Sequence, residues 1–122
     1  MLRPGLQAAR SGLPAAVVPV LARRLLQPDF QPEFRVPVIQ LLGRSGSLLA
    51  VEALLHFVQN GNNLMGRPRL AARSPEMLAA LRALARGWPD ERRVQPLIEA
   101  ARNSRDEHII TAIARLPVEN AQ

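Results

Sequence analysis

The sequence contains no cysteine. This absence excludes disulfide bonds, thiolate nucleophiles and cysteine-based zinc sites. Histidine is scarce as well: His56 and His108 are the only two, and they lie 52 residues apart (108 − 56), so they do not form an HExxH-type pair of zinc ligands. We therefore expect no metal and no cofactor.

Aromatic residues and long apolar runs are also few. Tyrosine is absent, and Phe30, Phe34, Phe57 and Trp88 are the aromatic residues. The apolar 48% is mainly Leu, Ala, Val and Ile, without the Thr/Tyr/Phe-rich runs typical of sheets, so the composition favours helices. No run reaches the roughly 20 apolar residues that a membrane span needs. We expect no membrane association and a cytoplasmic location.

Lysine is absent too, so all 16 basic residues are arginine, and the formal net charge is +6. A guanidinium binds carboxylates and phosphates with two parallel hydrogen bonds, which would suit an acidic protein or a nucleic acid. The arginines are scattered along the chain, however, and do not form one basic block. Charge alone therefore leaves both partner classes open.

Three stretches carry the apolar stripe of a helix with one buried face, and we call them the B helices. In residues 47–59, "SLLAVEALLHFVQ", the stripe has the spacing i, i+3, i+4, i+7. It recurs 33 residues earlier and 43 residues later. The three sets are Val18, Leu21, Ala22, Leu25; Val51, Leu54, Leu55, Val58; and Val94, Leu97, Ile98, Ala101.

A second helix type, the A helices, alternates with the first, in residues 35–46, 77–88 and 108–116. The matching apolar positions are Val36, Leu78, Ile110; Ile39, Leu81, Ile113; and Leu42, Leu84, Leu116. Capping residues and carboxylates precede these helices, and Gly43, Gly46 and Gly87 mark their ends. The short A-to-B connections predict antiparallel hairpins. Pro19, Pro37 and Pro96 predict either kinks or later helix starts.

The segment "QPEFRVPVIQLLGRSGSLLAVEALLHFVQ" resembles a HEAT repeat, and "SPEMLAALRALARGWPDERRVQPLIEAA" is similar with its corner glycine displaced to Gly87. The family pattern is a first helix that opens with Pro and Glu, a Leu-Gly corner, and a second helix with paired leucines. The resemblance covers roughly residues 13–116. It implies an all-α fold, a right-handed, armadillo-like α-solenoid of about three antiparallel helix pairs.

We predict one domain, residues 1–122, that is made of these repeats. Residues 1–28 form a partial first repeat, 29–60 the second, 74–103 the third and 104–122 a partial last repeat, with 61–73 as an inserted loop. No B helix follows to cover Ile109, Ile110, Ile113 and Leu116. Because exposed apolar side chains forfeit burial energy, we expect a segment of a longer array, contacts with the rest of such a chain, or end-to-end self-association.

The inserted loop contains Arg67, Arg69 and Arg73. Its "GRPR" (66–69) is similar to part of the AT-hook motif, which binds the minor groove of DNA, although Met65 replaces that motif's first arginine. A phosphate-binding loop is excluded because Arg67 and Pro68 replace the required Lys and Ser/Thr. The ordinary interpretation is a solvated connection, with nucleic-acid binding through these three arginines as the alternative.

The HEAT resemblance also implies that the B helices line a concave, partner-binding surface. Its candidate residues, here called the ridge, are Arg23, Glu52, His56, Gln95, Glu99 and Arg102; ordinary solvated positions are the alternative interpretation. The serines fall at predicted corners and caps, and no Ser, His and acid trio is brought together. We therefore predict a non-catalytic protein-binding scaffold or regulatory segment, with Arg23, Arg24, Arg93 and Arg102 favouring an acidic partner.

Overall fold

The computed structural model describes residues 14–62, 64 and 66–121, with side chains up to residue 114. This part of the chain is mostly helical and contains one short hairpin, so the expected helix-rich class is confirmed. The elements in order are α1 (Val17–Leu25), α2 (Arg35–Gly43), α3 (Leu48–Val58), β1 (Gln59–Asn62), β2 (Pro68–Leu70), α4 (Pro75–Gly87), α5 (Gln95–Arg102) and α6 (Glu107–Ala121). One turn of 3₁₀-helix, Pro32–Phe34, precedes α2.

Serine and aspartate side chains cap three of these helices. The Ser47 Oγ accepts a hydrogen bond from the Leu49 N–H at 3.1 Å, and the Ser74 Oγ accepts one from the Met77 N–H at 3.0 Å. At the start of α6 the Asp106 carboxylate accepts from the His108 N–H at 2.9 Å. Each bond satisfies an amide that has no partner inside its helix, which is why these residues begin helices.

The three interior prolines lie at helix starts. Pro19, Pro37 and Pro96 are each within the first three residues of α1, α2 and α5. First-turn amides have no acceptor in their own helix, so the missing proline N–H removes no helical hydrogen bond. Each helix begins one or two residues before its proline, so the prolines require no kink; the start of α2 at Arg35 is the predicted one.

The B-helix stripes form most of one face of the core. Of their 12 positions, Leu21 and Leu55 are half-buried and the other ten are buried, which confirms all three predicted stripes. The A helices supply Ile39, Leu42, Leu81, Leu84 and Ile113, also buried. Described buried residues are all apolar, so the core needs no buried ion pair or polar network.

The expectation of an uncovered last helix is wrong for two of its residues. Ile109 and Ile113 are each only 6% exposed, because α6 packs against both α4 and α5. Ile110 is 36% exposed, as expected. The side chain of Leu116 lies outside the described residues. Two neighbouring helices are therefore enough to bury one face of α6.

Three helices contact the helix two places along as well as a helix next to them in the chain. α1 packs against α3, α2 against α4, and α4 against α6. The α2–α4 approach is close because Gly43 has no side chain: a Cβ added there would lie 2.6 Å from the Ala83 Cβ. Gly87 adjoins the same place, since a Cβ added to it would lie 3.2 Å from the Gly43 carbonyl oxygen. Two helix-ending glycines therefore meet at this contact.

The inserted segment folds into an antiparallel hairpin, not an irregular loop. Gln59 pairs with Leu70 and Asn62 with Pro68, with an irregularity in register between them. The first strand begins directly after α3, before the predicted insertion. Leu70 and Ala71 are half-buried against the core, and β2 packs against α5. Leu64, near the tip, is fully exposed, in line with the predicted solvated connection.

Within the described residues, no helix is both long enough and apolar enough to cross a bilayer.

Candidate partner-binding surface

All six ridge residues are exposed. Arg23 lies on α1, Glu52 and His56 on α3, and Gln95, Glu99 and Arg102 on α5. The His56 ring meets the neighbouring Phe57 ring edge-on, with centroids 5.3 Å apart. Exposure is what a binding surface requires, but ordinary solvated positions share it. The contacts of these residues therefore carry more information than their exposure.

A carboxylate cluster engages the arginine that precedes α5. The Arg93 Nη1 lies 3.5 Å from the Glu52 Oε2, and its Nε lies 3.1 Å from the Glu91 Oε1. The Glu91 carboxylate also accepts from the Arg93 backbone N–H at 2.9 Å. Arg93 thus bridges two acids, and its charge is already compensated. The expectation that Arg93 attracts an acidic partner stays a prediction.

A second pair compensates another ridge charge. The Arg102 Nη1 lies 3.4 Å from the Glu99 Oε2, one turn away on α5. Both side chains are well exposed, so the pair contributes little to stability, about 0–1 kcal/mol. The ridge therefore carries alternating charges with a small net value. A partner with matching alternation suits it better than a uniformly acidic one.

The B helices do not form an unbroken row. α1 packs against α3, but α5 packs against β2 and α6, and its contact with α3 is marginal at most. The Arg93–Glu52 ion pair is the described side-chain link between α3 and the residues that open α5. The hairpin thus lies beside the last B helix, and the ridge has two parts, α1 with α3 and α5 alone.

Glu91 and its contacts were missed by the sequence analysis. Its carboxylate binds both the backbone and the side chain of the residue two places on, a local turn motif that an acid in "PDERR" could have signalled. These hydrogen bonds from Arg93, the backbone one first, hold the pKa of Glu91 below its ordinary value. The ionised form therefore stabilises the turn that leads into α5.

We expect Glu91→Gln to lower the free energy of unfolding at neutral pH, because the lowered pKa means that the folded state favours the carboxylate. A carboxyl group whose pKa is lower in the folded than in the unfolded protein stabilises the folded state at pH values above its unfolded pKa. That stabilisation is lost as the pH falls through the folded pKa. Urea unfolding at several pH values should show that the difference in unfolding free energy between the variant and the wild type becomes smaller as the pH falls. When the protein already carries Arg93→Ala, the effect of Glu91→Gln on the unfolding free energy should be smaller but not zero, because the backbone N–H at position 93 still donates. A deficit that grows on acidification would contradict this account.

The three arginines of the alternative nucleic-acid site have different surroundings. Arg67 and Arg69 are exposed, just before and within β2. Arg73 pairs with Asp106, with its Nε 2.8 Å from the Oδ2, and so connects the end of the hairpin segment to the start of α6. Its loss would therefore also remove this ion pair.

The described residues show no group of three or more His, Asp or Glu side chains that could hold a metal ion, and none of their buried side-chain polar atoms lacks a hydrogen-bond partner. The serines take part in capping and corner contacts: the Ser45 Oγ donates to the Leu42 carbonyl at 2.7 Å, and the Ser104 Oγ accepts from the Asp106 N–H at 3.0 Å. Their geometry is that of helix ends.

Comparisons of the chain with protein-family models, with curated proteins and with solved structures found no significant match.

Proposed function

We propose that this chain is a non-catalytic protein-interaction scaffold, or a regulatory segment of a larger assembly, built as a right-handed α-solenoid of HEAT-like helix pairs. The observation that carries the proposal is that three helices contact the helix two places along: α1 contacts α3, α2 contacts α4, and α4 contacts α6. Stacked hairpins in a solenoid make contacts of this kind.

Burial at equivalent sequence positions supports the same architecture. Ile39, Leu81 and Ile113 are all buried, whereas the preceding equivalents Val36, Leu78 and Ile110 are each partly exposed. Equivalent residues of repeated units are expected to have equivalent surroundings, because each unit buries the same stripe against its neighbours.

The mechanism is presentation of a preordered surface. Ridge side chains stand on helices that the core holds in place, so a partner loses little binding energy to ordering them. His56, Gln95, Glu99 and Arg102 supply donors, acceptors and both signs of charge at fixed spacing. A partner would meet them with complementary alternating charges, and binding would weaken as salt rises.

A peptide-display selection tests this function directly. We expect selected peptides to bind the chain with dissociation constants of about micromolar. Combined substitution of His56, Gln95 and Glu99 by Ala should weaken binding about tenfold or more, since these side chains would contact the peptide. A matched control replaces the exposed Arg92 and Arg105 by Ala and should leave affinity within about threefold. Failure to select any binder, or binding indifferent to the ridge, would contradict the proposal.

The alternative function is nucleic-acid binding by the hairpin, and its exposed Arg67 and Arg69 favour a test. Labelled duplex DNA is titrated at two salt concentrations with the wild type and with Arg67→Ala/Arg69→Ala; Arg73 is left intact because its loss would also remove the pair with Asp106. Micromolar binding whose salt slope falls by about 2 in the variant would favour the alternative. Absence of DNA binding would leave the scaffold proposal standing.

A further inference from the structure

A groove lies between α2 and α4, away from every ridge residue. Its volume is about 660 Å³, within the range of roughly 300–1,000 Å³ that is usual for ligand sites. The residues that line it come from α2, the position after α2, and α4: Val36, Gln40, Gly43, Arg44, Pro75, Leu78, Ala79, Arg82, Ala83 and Arg86. The groove therefore depends on the packing of α2 against α4.

The groove combines an apolar floor with a basic rim. Val36, Leu78 and Ala79 are half-buried and supply apolar surface, whereas Arg44 and Arg82 are exposed. The close approach of α2 and α4 at Gly43 holds the two arginine-bearing segments together. Arg82 and Arg86 are four residues apart on α4 and therefore share one face of that helix.

The charge of this groove is not balanced by its own residues. Among the described residues, its lining includes three arginines and no carboxylate. In the described part of the chain, Arg73, Arg93 and Arg102 each pair with an acid, but Arg44 and Arg82 do not. Like charges gathered at one groove repel one another, and an anionic ligand would relieve that repulsion. Two arginines without a paired acid, Arg44 and Arg82, thus lie at this groove.

We propose that the α2–α4 groove binds an acidic peptide segment in which an apolar side chain is flanked by Asp or Glu. The apolar side chain would bury itself against Val36, Leu78 and Ala79, and the flanking carboxylates would pair with Arg44 and Arg82. Arginine suits this task because its planar guanidinium donates two parallel hydrogen bonds to one carboxylate.

The same lining disfavours a nucleic-acid strand. No aromatic side chain lines the groove, so bases have no stacking platform there. A phosphate backbone would also leave the apolar floor without a matching surface. A peptide uses both the floor and the rim, which is why the groove's chemistry selects it.

The test uses fluorescence anisotropy with a short labelled peptide that has a central Leu between Glu residues. We expect binding that weakens with salt, and a loss of about tenfold or more in Arg44→Glu/Arg82→Glu, because two attractive contacts become repulsive. The control Arg92→Glu/Arg105→Glu makes the same change in net charge at exposed positions outside the groove. It should shift affinity by no more than about threefold. Circular dichroism checks that both variants remain helical.

Two altered peptides distinguish the contribution of the arginine rim to binding from that of the apolar floor. Replacing the peptide's Glu residues by Gln should abolish most binding, and replacing its Leu by Ala should weaken it several-fold. No binding of the acidic peptide, equal losses in the groove and control variants, or tighter binding of duplex DNA than of the peptide to the groove would overturn the proposal. The ridge variant should bind this probe like the wild type, so failure of the ridge proposal and failure of this one give different results.

Discussion

Leu81→Ala is expected to lower the free energy of unfolding by about 2–5 kcal/mol, which is the usual loss for a fully buried leucine. Leu81 lies in the middle of α4, has no exposed surface and belongs to the core cluster. α4 packs against α2, α3 and α6, so a cavity beneath it removes contacts shared by several helices. Since small domains are stable by about 5–15 kcal/mol, this loss is a large fraction of the total.

The matched control is Leu49→Ala on α3. Leu49 is 59% exposed, so the same change of side chain removes little buried surface and should cost less than about 0.5 kcal/mol. Urea unfolding followed by circular dichroism measures both variants. Similar losses for Leu81→Ala and Leu49→Ala would show that α4 is not at the centre of the core.

Gly43→Ala is expected to destabilise the protein by about 1–3 kcal/mol, although alanine is the better helix former. The added Cβ would lie 2.6 Å from the Ala83 Cβ, so α2 and α4 would have to move apart. The helix-propensity gain of about 0.5–1 kcal/mol offsets only part of this strain. The same separation would widen the groove lined by Arg44 and Arg82.

A second substitution isolates the steric cause. Ala83→Gly removes the methyl group that the new Cβ would meet, and alone it should cost about 1 kcal/mol of helix propensity. If the clash is real, the double variant is more stable than the sum of the two single losses predicts, by about 0.5–3 kcal/mol of coupling. Additive losses in urea unfolding would mean that Gly43 and Ala83 do not touch.

The helix stripes could be predicted because they depend on local spacing. Val51, Leu54 and Val58 repeat with the period of a helix, and their side chains must face one direction whatever packs against them. The caps at Ser47 and Ser74 are equally local, since a serine side chain reaches the amide two or three residues on. Local chemistry thus accounts for the elements and their buried faces.

The hairpin could not be predicted in this way. Its first strand, "QNGN", has no apolar residue and no alternation, and its residue types are generally poor strand formers. Gly61 and Gly66 both adopt positive φ, at 67° and 80°, which signals turns without specifying strands. The burial of Leu70 and the packing of β2 against α5 depend on tertiary contacts.

The surface charges depend on long-range placement as well. Glu52 and Arg93 are 41 residues apart in the chain, and their pairing follows from the way α3 meets the segment that leads into α5. The same holds for Arg73 with Asp106. The positions of the ridge residues could therefore be predicted from the helical period. Their ion pairs could not be predicted in this way. The basic groove likewise exists only because α2 and α4, which are not consecutive helices, pack together.

Contact between α2 and α4 at Gly43 is the central claim, since the proposed stacking of helix pairs and the groove both depend on it. Nuclear Overhauser spectroscopy of the full chain, with the alanine methyl groups labelled, tests this contact directly. We predict cross-peaks between the Ala83 methyl protons and the Gly43 α protons. Their absence in a sample whose amide signals show both helices intact would contradict the account.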